Sequence, residues 1–576
     1  MTNRRSVNYI EHMQHVRRFG RASLLALSLL SACAAADPTS GDPAASDGRY
    51  TSSGVYGEYL AGHFAVAQAD PNMATEAFLK ALAARPEDPE LQQQAFLVAL
   101  LSGRSEAVQL ARQLPDNQAA QLLLGDEEAR AGNWAAAEQR FQALPRQGLT
   151  QLLQPLLLAW AQAGRGDTPA ALATLHPYID SQRFRGIFAL HAALIADLGG
   201  HADDAARLYG TAETEMPQLN LRLAQILASW QARSGHPAAA EHTLAALAIA
   251  APDMAIALPA LEADTATRPV ARASDGLAET YLAFAAALRE QDSSEYAMLM
   301  LRLALDLRPG FTAARVLAAD ILAGERHETA ALQMLAAVPA GDPLSAVVRM
   351  RRAGLVEALG HTEDAIHDLD RLAAEHPDSP LPVVELGDIL RSKQRFPDAV
   401  AAYTRAITML RQPAQGDWPL FYFRGIAYDQ MHQWAKAEAD FRHALALSPD
   451  QPSVLNYLGY SWADKGERLS EARRMIQKAV ERRPNDGAFT DSLGWVMLRQ
   501  GDVTGAVSTL ERAVELEPED STLNAHLGDA YWAAGRRLEA QYQWRRALTL
   551  NPAPEDLAKL EAKLQTPPST AVVSGQ

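Results

Sequence analysis

A unit of about 34 residues, repeated three times without interruption between Pro452 and Pro552, constrains this chain more than any other feature. Each copy places Leu-Gly early (Leu458-Gly459, Leu493-Gly494, Leu527-Gly528). Each places Ala followed by Val or Leu late (Ala479-Val480, Ala513-Val514, Ala547-Leu548) and closes on a proline at Pro484, Pro518 or Pro552. The glycines are 35 and 34 residues apart, the prolines 34 and 34. A fixed period of this length marks stacked units, because one helix pair cannot bury its apolar face alone. The early glycines suit a close crossing of the two helices of a unit, with Ala472, Ala506 and Ala540 as the small residues opposite. Leu510 and Trp544 are expected to fill the wider gaps between units. Gly501 and Gly535 stand where a left-handed residue would end the first helix, at least cost for glycine. The closing prolines cannot continue a helix interior.

This pattern resembles the tetratricopeptide repeat (TPR). The resemblance implies an all-α fold, a right-handed TPR superhelical solenoid of antiparallel helix pairs with a concave groove. Looser copies lie upstream, among them Gly62/Ala74/Phe78, Gly125/Ala137/Phe141, Gly387/Ala399/Tyr403 and Gly425/Ala437/Phe441, giving about fourteen units in all. Between Pro252 and Gly276 the text turns polar and turn-rich. The expected organisation is a degenerate array over 55–252, an irregular break over 253–277 and a second array over 278–552. A capping helix over 553–565 and a disordered tail over 566–576 complete it.

The start of the chain carries different information. Arg17, Arg18 and Arg21 precede an apolar run that ends Leu30-Ser31-Ala32-Cys33, a secretory signal too short to span a bilayer. Those four residues resemble the bacterial lipobox, which implies a signal peptide over 1–32 and lipidation at Cys33, the only cysteine. The alternative is a buried free thiol at a helix end. Met13 gives a more ordinary signal length than Met1, and the small polar residues of 33–54 read as a flexible tether. By the lipoprotein sorting rule, Ala34 after the cysteine favours the outer membrane, with the protein lipid-anchored and facing the periplasm. Several acyl chains on one cysteine make a durable anchor.

A formal net charge of −16 argues against a nucleic-acid partner, which a protein binds by neutralising phosphates. The sequence holds no HExxH, P-loop, GxSxG or CxxC text, and His361, His367 and His376 are too scattered for one helix face. No stretch outside the repeats reaches domain size. The expectation is a non-enzyme without cofactor or metal, in which the groove carries the function.

In TPR proteins the concave surface comes mainly from fixed positions of the first helix of each unit. Counted from the early glycines, these are Tyr422 and Asp429, Asn456 and Tyr460, Asp491 and Trp495, and Asp529 and Trp532, with Arg499 beside them. Aromatics on such a face are the usual anchors of a binding surface. The alternative for each is packing against a neighbouring helix. Trp462 and Tyr531 fall at a packing position and are assigned to the core. The lysine and asparagine arrangement that clamps a peptide carboxylate in chaperone-binding TPRs is absent.

The lipobox, the long irregular array and texts such as DSLGWVMLRQGD look like those of bacterial outer-membrane TPR lipoproteins. That resemblance implies an adaptor that docks a periplasmic carboxyl-terminal processing protease and its cell-wall hydrolase substrates. One alternative is an assembly component of an envelope export machine for polysaccharide, pilus or secretion. A second, from another class, is a cell-wall enzyme with an unrecognised site.

Overall fold

The computed structural model describes residues 54–181 and 184–565. The expected signal peptide, the lipidation site Cys33, residues 33–53 of the tether and the tail 566–576 lie outside the described residues. The described residues are helical, without a strand among them. They fall into two compact units, 54–382 and 383–565.

In the C-terminal unit helices alternate as first and second members of antiparallel pairs. The last three pairs are Pro452–Lys465 with Leu469–Arg482, Gly487–Arg499 with Val503–Leu516, and Ser521–Ala533 with Arg537–Thr549. Helix starts are written in the sequence. The carboxylates of Asp486, Asp502 and Asp520 accept from the backbone N–H groups of Phe489 (3.1 Å), Gly505 (3.0 Å) and Leu523 (3.0 Å). Each thereby satisfies a donor that the helix itself leaves open. Gly501 and Gly535 take φ of 85° and 81° at the turns, as their positions predict.

The early glycines have one structural purpose. The space each leaves is filled by a large residue sixteen positions later on the second helix of the same unit. A Cβ on Gly494 would lie 2.5 Å from Leu510, and one on Gly528 would lie 2.4 Å from Trp544. Phe441 and Tyr403 cover Gly425 and Gly387 in the same way. The expectation that Leu510 and Trp544 fill gaps between units is therefore corrected: they close the crossing within their own unit. Gly459 is the exception that explains the single 35-residue step. Its cover is Ile476, one position further on, because the turn after Lys465 holds an extra residue. That turn places both Gly466 (φ 73°) and Arg468 (φ 47°) in the left-handed region. Trp462 and Tyr531 are buried in the core.

The last helix, Pro554–Leu564, packs against Arg537–Thr549, and its Leu560 joins a cluster with Leu527, Tyr531 and Trp544. Burying such side chains contributes on the order of 1.5–3 kcal/mol each.

The N-terminal unit begins with the same pairing, from Val55–Ala67 with Pro71–Ala84 to Leu221–Arg233 with Pro237–Ala250. Residues 253–277, expected as an irregular break dividing two arms, are more ordered than that. A 3-10 turn, Pro252–Ala257, and a short helix, Leu258–Ala263, bury Met254, Ile256 and Leu261 in a cluster with Leu344 and Val347. Helix Ala273–Glu290 then starts four residues before the position where the sequence resumes its period. It runs back against the earlier first helices Gln118–Arg130, Thr150–Gly164 and Arg185–Leu198. Gly276, expected to end the break, is buried within this helix. It allows the approach, since a Cβ there would stand 2.3 Å from the indole of Trp160.

Candidate functional site

Two register positions of the C-terminal first helices separate cleanly. Tyr460, Trp495 and Asp529 each follow the early glycine, and all three are half-buried. Tyr422, Asn456 and Asp491 each stand three residues before it, and all three are buried. Asp429 is fully buried, whereas Trp532, at the same register, is half-buried. The half-buried residues expose part of their surface to a partner. The buried ones act through those they support.

The structure gathers the eight sequence-derived residues into three clusters. In the first, the Tyr457 hydroxyl donates to Asp429 at 3.1 Å, and Tyr422 meets Tyr457 edge to face at 6.0 Å. Burial pushes the Tyr422 phenol above its ordinary pKa, and its hydroxyl has no hydrogen-bond partner among the described residues. The side-chain oxygen of Asn456 is buried and likewise unpartnered among them.

The second cluster is built around His526, which the sequence reading did not select. Its Nδ1 lies 2.8 Å from an oxygen of the buried Asp491. Trp495 stacks on the imidazole with centroids 4.3 Å apart and planes 20° from parallel. Tyr460 approaches the same ring at 6.5 Å, and the Arg499 guanidinium lies 6.0 Å from the Trp495 ring. The carboxylate thus holds the imidazole, and the imidazole holds a half-exposed indole.

The third cluster joins the last pair to the terminal helix. Asp529 accepts from Trp544 Nε1 at 3.0 Å and from Lys563 Nζ at 2.6 Å. Trp532 leans on Trp544 at 5.2 Å, with the Arg537 guanidinium over its face at 3.9 Å. Such a contact contributes about 0.5–1 kcal/mol where exposed. His526 and Lys563 escaped the sequence reading for different reasons. His526 sits one position from an expected packing residue, and Lys563 belongs to a helix outside the repeat.

The same face of the N-terminal unit has another fate. Trp160 Nε1 donates to His191 Nδ1 at 3.0 Å, and both residues are buried beneath helix Ala273–Glu290. Tyr281 of that helix donates to Asp126 at 3.1 Å. Glu279 receives Arg222 Nε at 2.9 Å on both carboxylate oxygens. Burial holds the Asp126 carboxyl well above the usual carboxylate range and lowers the His191 imidazole to about 3. Among the described residues no three His, Cys, Asp or Glu side chains gather as metal ligands. Among them, no helix is long and apolar enough to cross a membrane.

The tetratricopeptide repeat family model matches residues 353–416, 424–487 and 463–522. A TPR repeat-containing protein of Pseudomonas aeruginosa is 32% identical over 211 residues, covering 36% of this chain and 35% of the relative. Tetratricopeptide repeat protein 13 of Homo sapiens is 29% identical over 123 residues, covering 21% of this chain and 14% of the relative. The chain thus spans about a third of the first relative's length and about a seventh of the second's. Among solved structures, the APC/C hetero-tetramer Cut9-Hcn1 is similar over 88% of this chain and 96% of its own, at 15% identity and a TM-score of 0.37. YrrB, a TPR protein with an unusual peptide-binding site, is similar over 34% of this chain and 97% of its own, at 19% identity and a TM-score of 0.27.

Proposed function

We propose that this chain, whose residues 353–416 and 424–522 are tetratricopeptide repeats, is a non-catalytic scaffold that holds protein partners on the first-helix face of its C-terminal unit. The observation that carries this reading is the half-exposed Trp495, fixed by stacking on His526, which Asp491 holds in turn. An aromatic ring already held in place loses little freedom on binding, so more of its contact energy remains as affinity. Trp532, braced by Trp544 and Arg537, extends the surface by one unit.

In the finer form of this proposal the scaffold works in the periplasm. It is tethered to the outer membrane through lipidated Cys33, and it docks a carboxyl-terminal processing protease together with cell-wall hydrolases. The lipobox text and the resemblance to outer-membrane TPR lipoproteins support that form.

Tagged wild-type protein and its Trp495→Ala and Trp532→Ala variants, each pulled down from membrane extracts, test the reading. Partners retained by wild type and depleted by both variants support it; equal recovery from all three overturns the assigned surface. Cys33→Ser addresses the tether and should leave the membrane fraction or persist as an uncleaved precursor. A processed serine variant that stays with the outer membrane overturns lipidation as the anchor. Turnover of peptidoglycan by the purified chain alone would overturn the non-catalytic role.

A further inference from the structure

The N-terminal unit contains a cavity of about 830 Å³ far in sequence from the residues discussed above. It exists because the pair Ala273–Glu290 and Ser294–Leu307 packs back onto the earlier repeats. Its floor is the buried set Leu114, Leu122, Leu153 and Met300. Leu149, Leu288 and Leu299 form half-exposed walls, and Tyr296 stands at the mouth, 62% exposed. An apolar floor of this extent, in a cavity within the roughly 300–1,000 Å³ range of ligand sites, is a place where water is readily displaced.

The rim decides the ligand class. Gln93, Gln113, Asn117 and Gln118 line it, so four carboxamides surround the apolar floor. A carboxamide carries a donor and an acceptor together, the same pair that each residue of an extended backbone presents. Asn117 spends its oxygen on the Ala120 N–H (3.0 Å), whereas the three glutamine side chains are not engaged by other described residues. Asp116 is the one charged residue of the lining, and no lysine or arginine joins it. An acidic ligand would therefore meet repulsion and no counter-charge. A lipid tail or an apolar small molecule would leave the amide rim unused.

We propose that this cavity is a second binding site, for an extended peptide segment that carries apolar side chains and no acid. Apolar side chains fill the floor, Tyr296 closes over them, and the glutamines pair with the segment's backbone. The site is independent of the C-terminal face, and it stands or falls apart from the reading given for that face.

The test pans a displayed library of random ten-residue peptides on the full chain, then measures one enriched peptide by fluorescence anisotropy. The expected peptides are rich in aliphatic or aromatic residues and poor in Asp and Glu. The chosen peptide should bind wild type and Trp495→Ala alike, and Tyr296→Ala about tenfold or more weakly, as for an anchor residue. Leu299→Gln, a second change at a half-exposed wall, should weaken binding in the same sense, and a melting curve checks that each variant is folded. Failure to enrich any peptide, enrichment of acidic peptides, or binding that ignores both cavity substitutions overturns the proposal. So does binding lost through Trp495→Ala but kept in Tyr296→Ala. If neutral 1-aminoanthracene saturates the cavity while no peptide is enriched, the site serves a small apolar molecule and the peptide assignment is wrong.

Discussion

Two tryptophan–histidine pairs, one in each unit, join consecutive first helices across the same sequence spacing of 31 residues. Trp160 meets His191 edge-on, with its N–H on the imidazole, and both are buried. Trp495 lies flat on His526 and stays half-exposed. The difference is the covering element. Helix Ala273–Glu290 packs over the first pair, with Gly276 against the Trp160 ring. In the C-terminal unit the terminal helix Pro554–Leu564 reaches Asp529 through Lys563. The face of a repeat stack is therefore a binding surface only where the chain's own elements leave it open. One repeat architecture yields an internally satisfied body and a recognition face.

The contrast can be broken most sharply at the tryptophans. Trp160→Ala should cost about 3–5 kcal/mol, the usual loss for a large buried aromatic. Trp495→Ala should change stability far less. Hydrogen exchange in peptides from residues 150–164 and 487–499 reads the two units separately. Equal loss of protection in both would dissolve the distinction between a covered and an open pair.

The glycines come next. Gly276→Leu and Gly494→Leu each force a branched side chain into a contact closer than 3 Å, at Trp160 and Leu510 respectively. Overpacking of this kind costs about 1–3 kcal/mol. In a stacked array the damage should spread to neighbouring repeats of the same unit. A melting curve unchanged by either substitution would show that the crossing has more room than the packing implies.

On the binding side, Trp495→Ala and Trp532→Ala should each weaken a C-terminal partner about thirtyfold, near 2 kcal/mol, measured by titration of that partner. Trp160→Ala should leave the intrinsic affinity of that surface intact. A thirtyfold loss from Trp160→Ala would place the partner on the N-terminal unit instead.

Acid gives the finest discrimination. The folded pKa of His191 is lowered by burial from 6.5 to about 3, so its contribution is fully present above 6.5 and is lost as pH falls towards 3. Protonation would also put a hydrogen on the nitrogen that accepts from Trp160. Asp126, raised by burial, works in the opposite sense: its contribution is complete below the ordinary carboxylate pKa and is lost as pH rises through the folded value. The difference in stability between wild type and His191→Gln, followed by denaturant unfolding from pH 7 to 4, should therefore narrow on acidification. A constant difference would show that His191 titrates normally despite its burial.

Much of this was legible in the residues. Leu-Gly and the closing proline, repeated every 34 or 35 residues, are local statements about one helix pair. They require helices, pairing and stacking whatever the rest of the chain does. The tandem also gave the register, and the residue after each early glycine does stand half-exposed in the three best-kept units. Less legible was the depth of the other positions. Tyr422, Asn456 and Asp491 are buried because the neighbouring first helix approaches them, a distance no single repeat encodes. His526 and Lys563 entered the site from an adjacent register and from outside the period.

Sequence alone determined the helix pair, its caps and the obligation to stack, since those depend on contacts within about one period of the chain. Only the tertiary structure decided which stacked face is covered. Tyr281 finds Asp126 across 155 residues of chain, and the fit of Gly276 to Trp160 is equally remote. Long-range packing of this kind leaves no periodic mark, because it joins one helix to several others once rather than each unit to its neighbour.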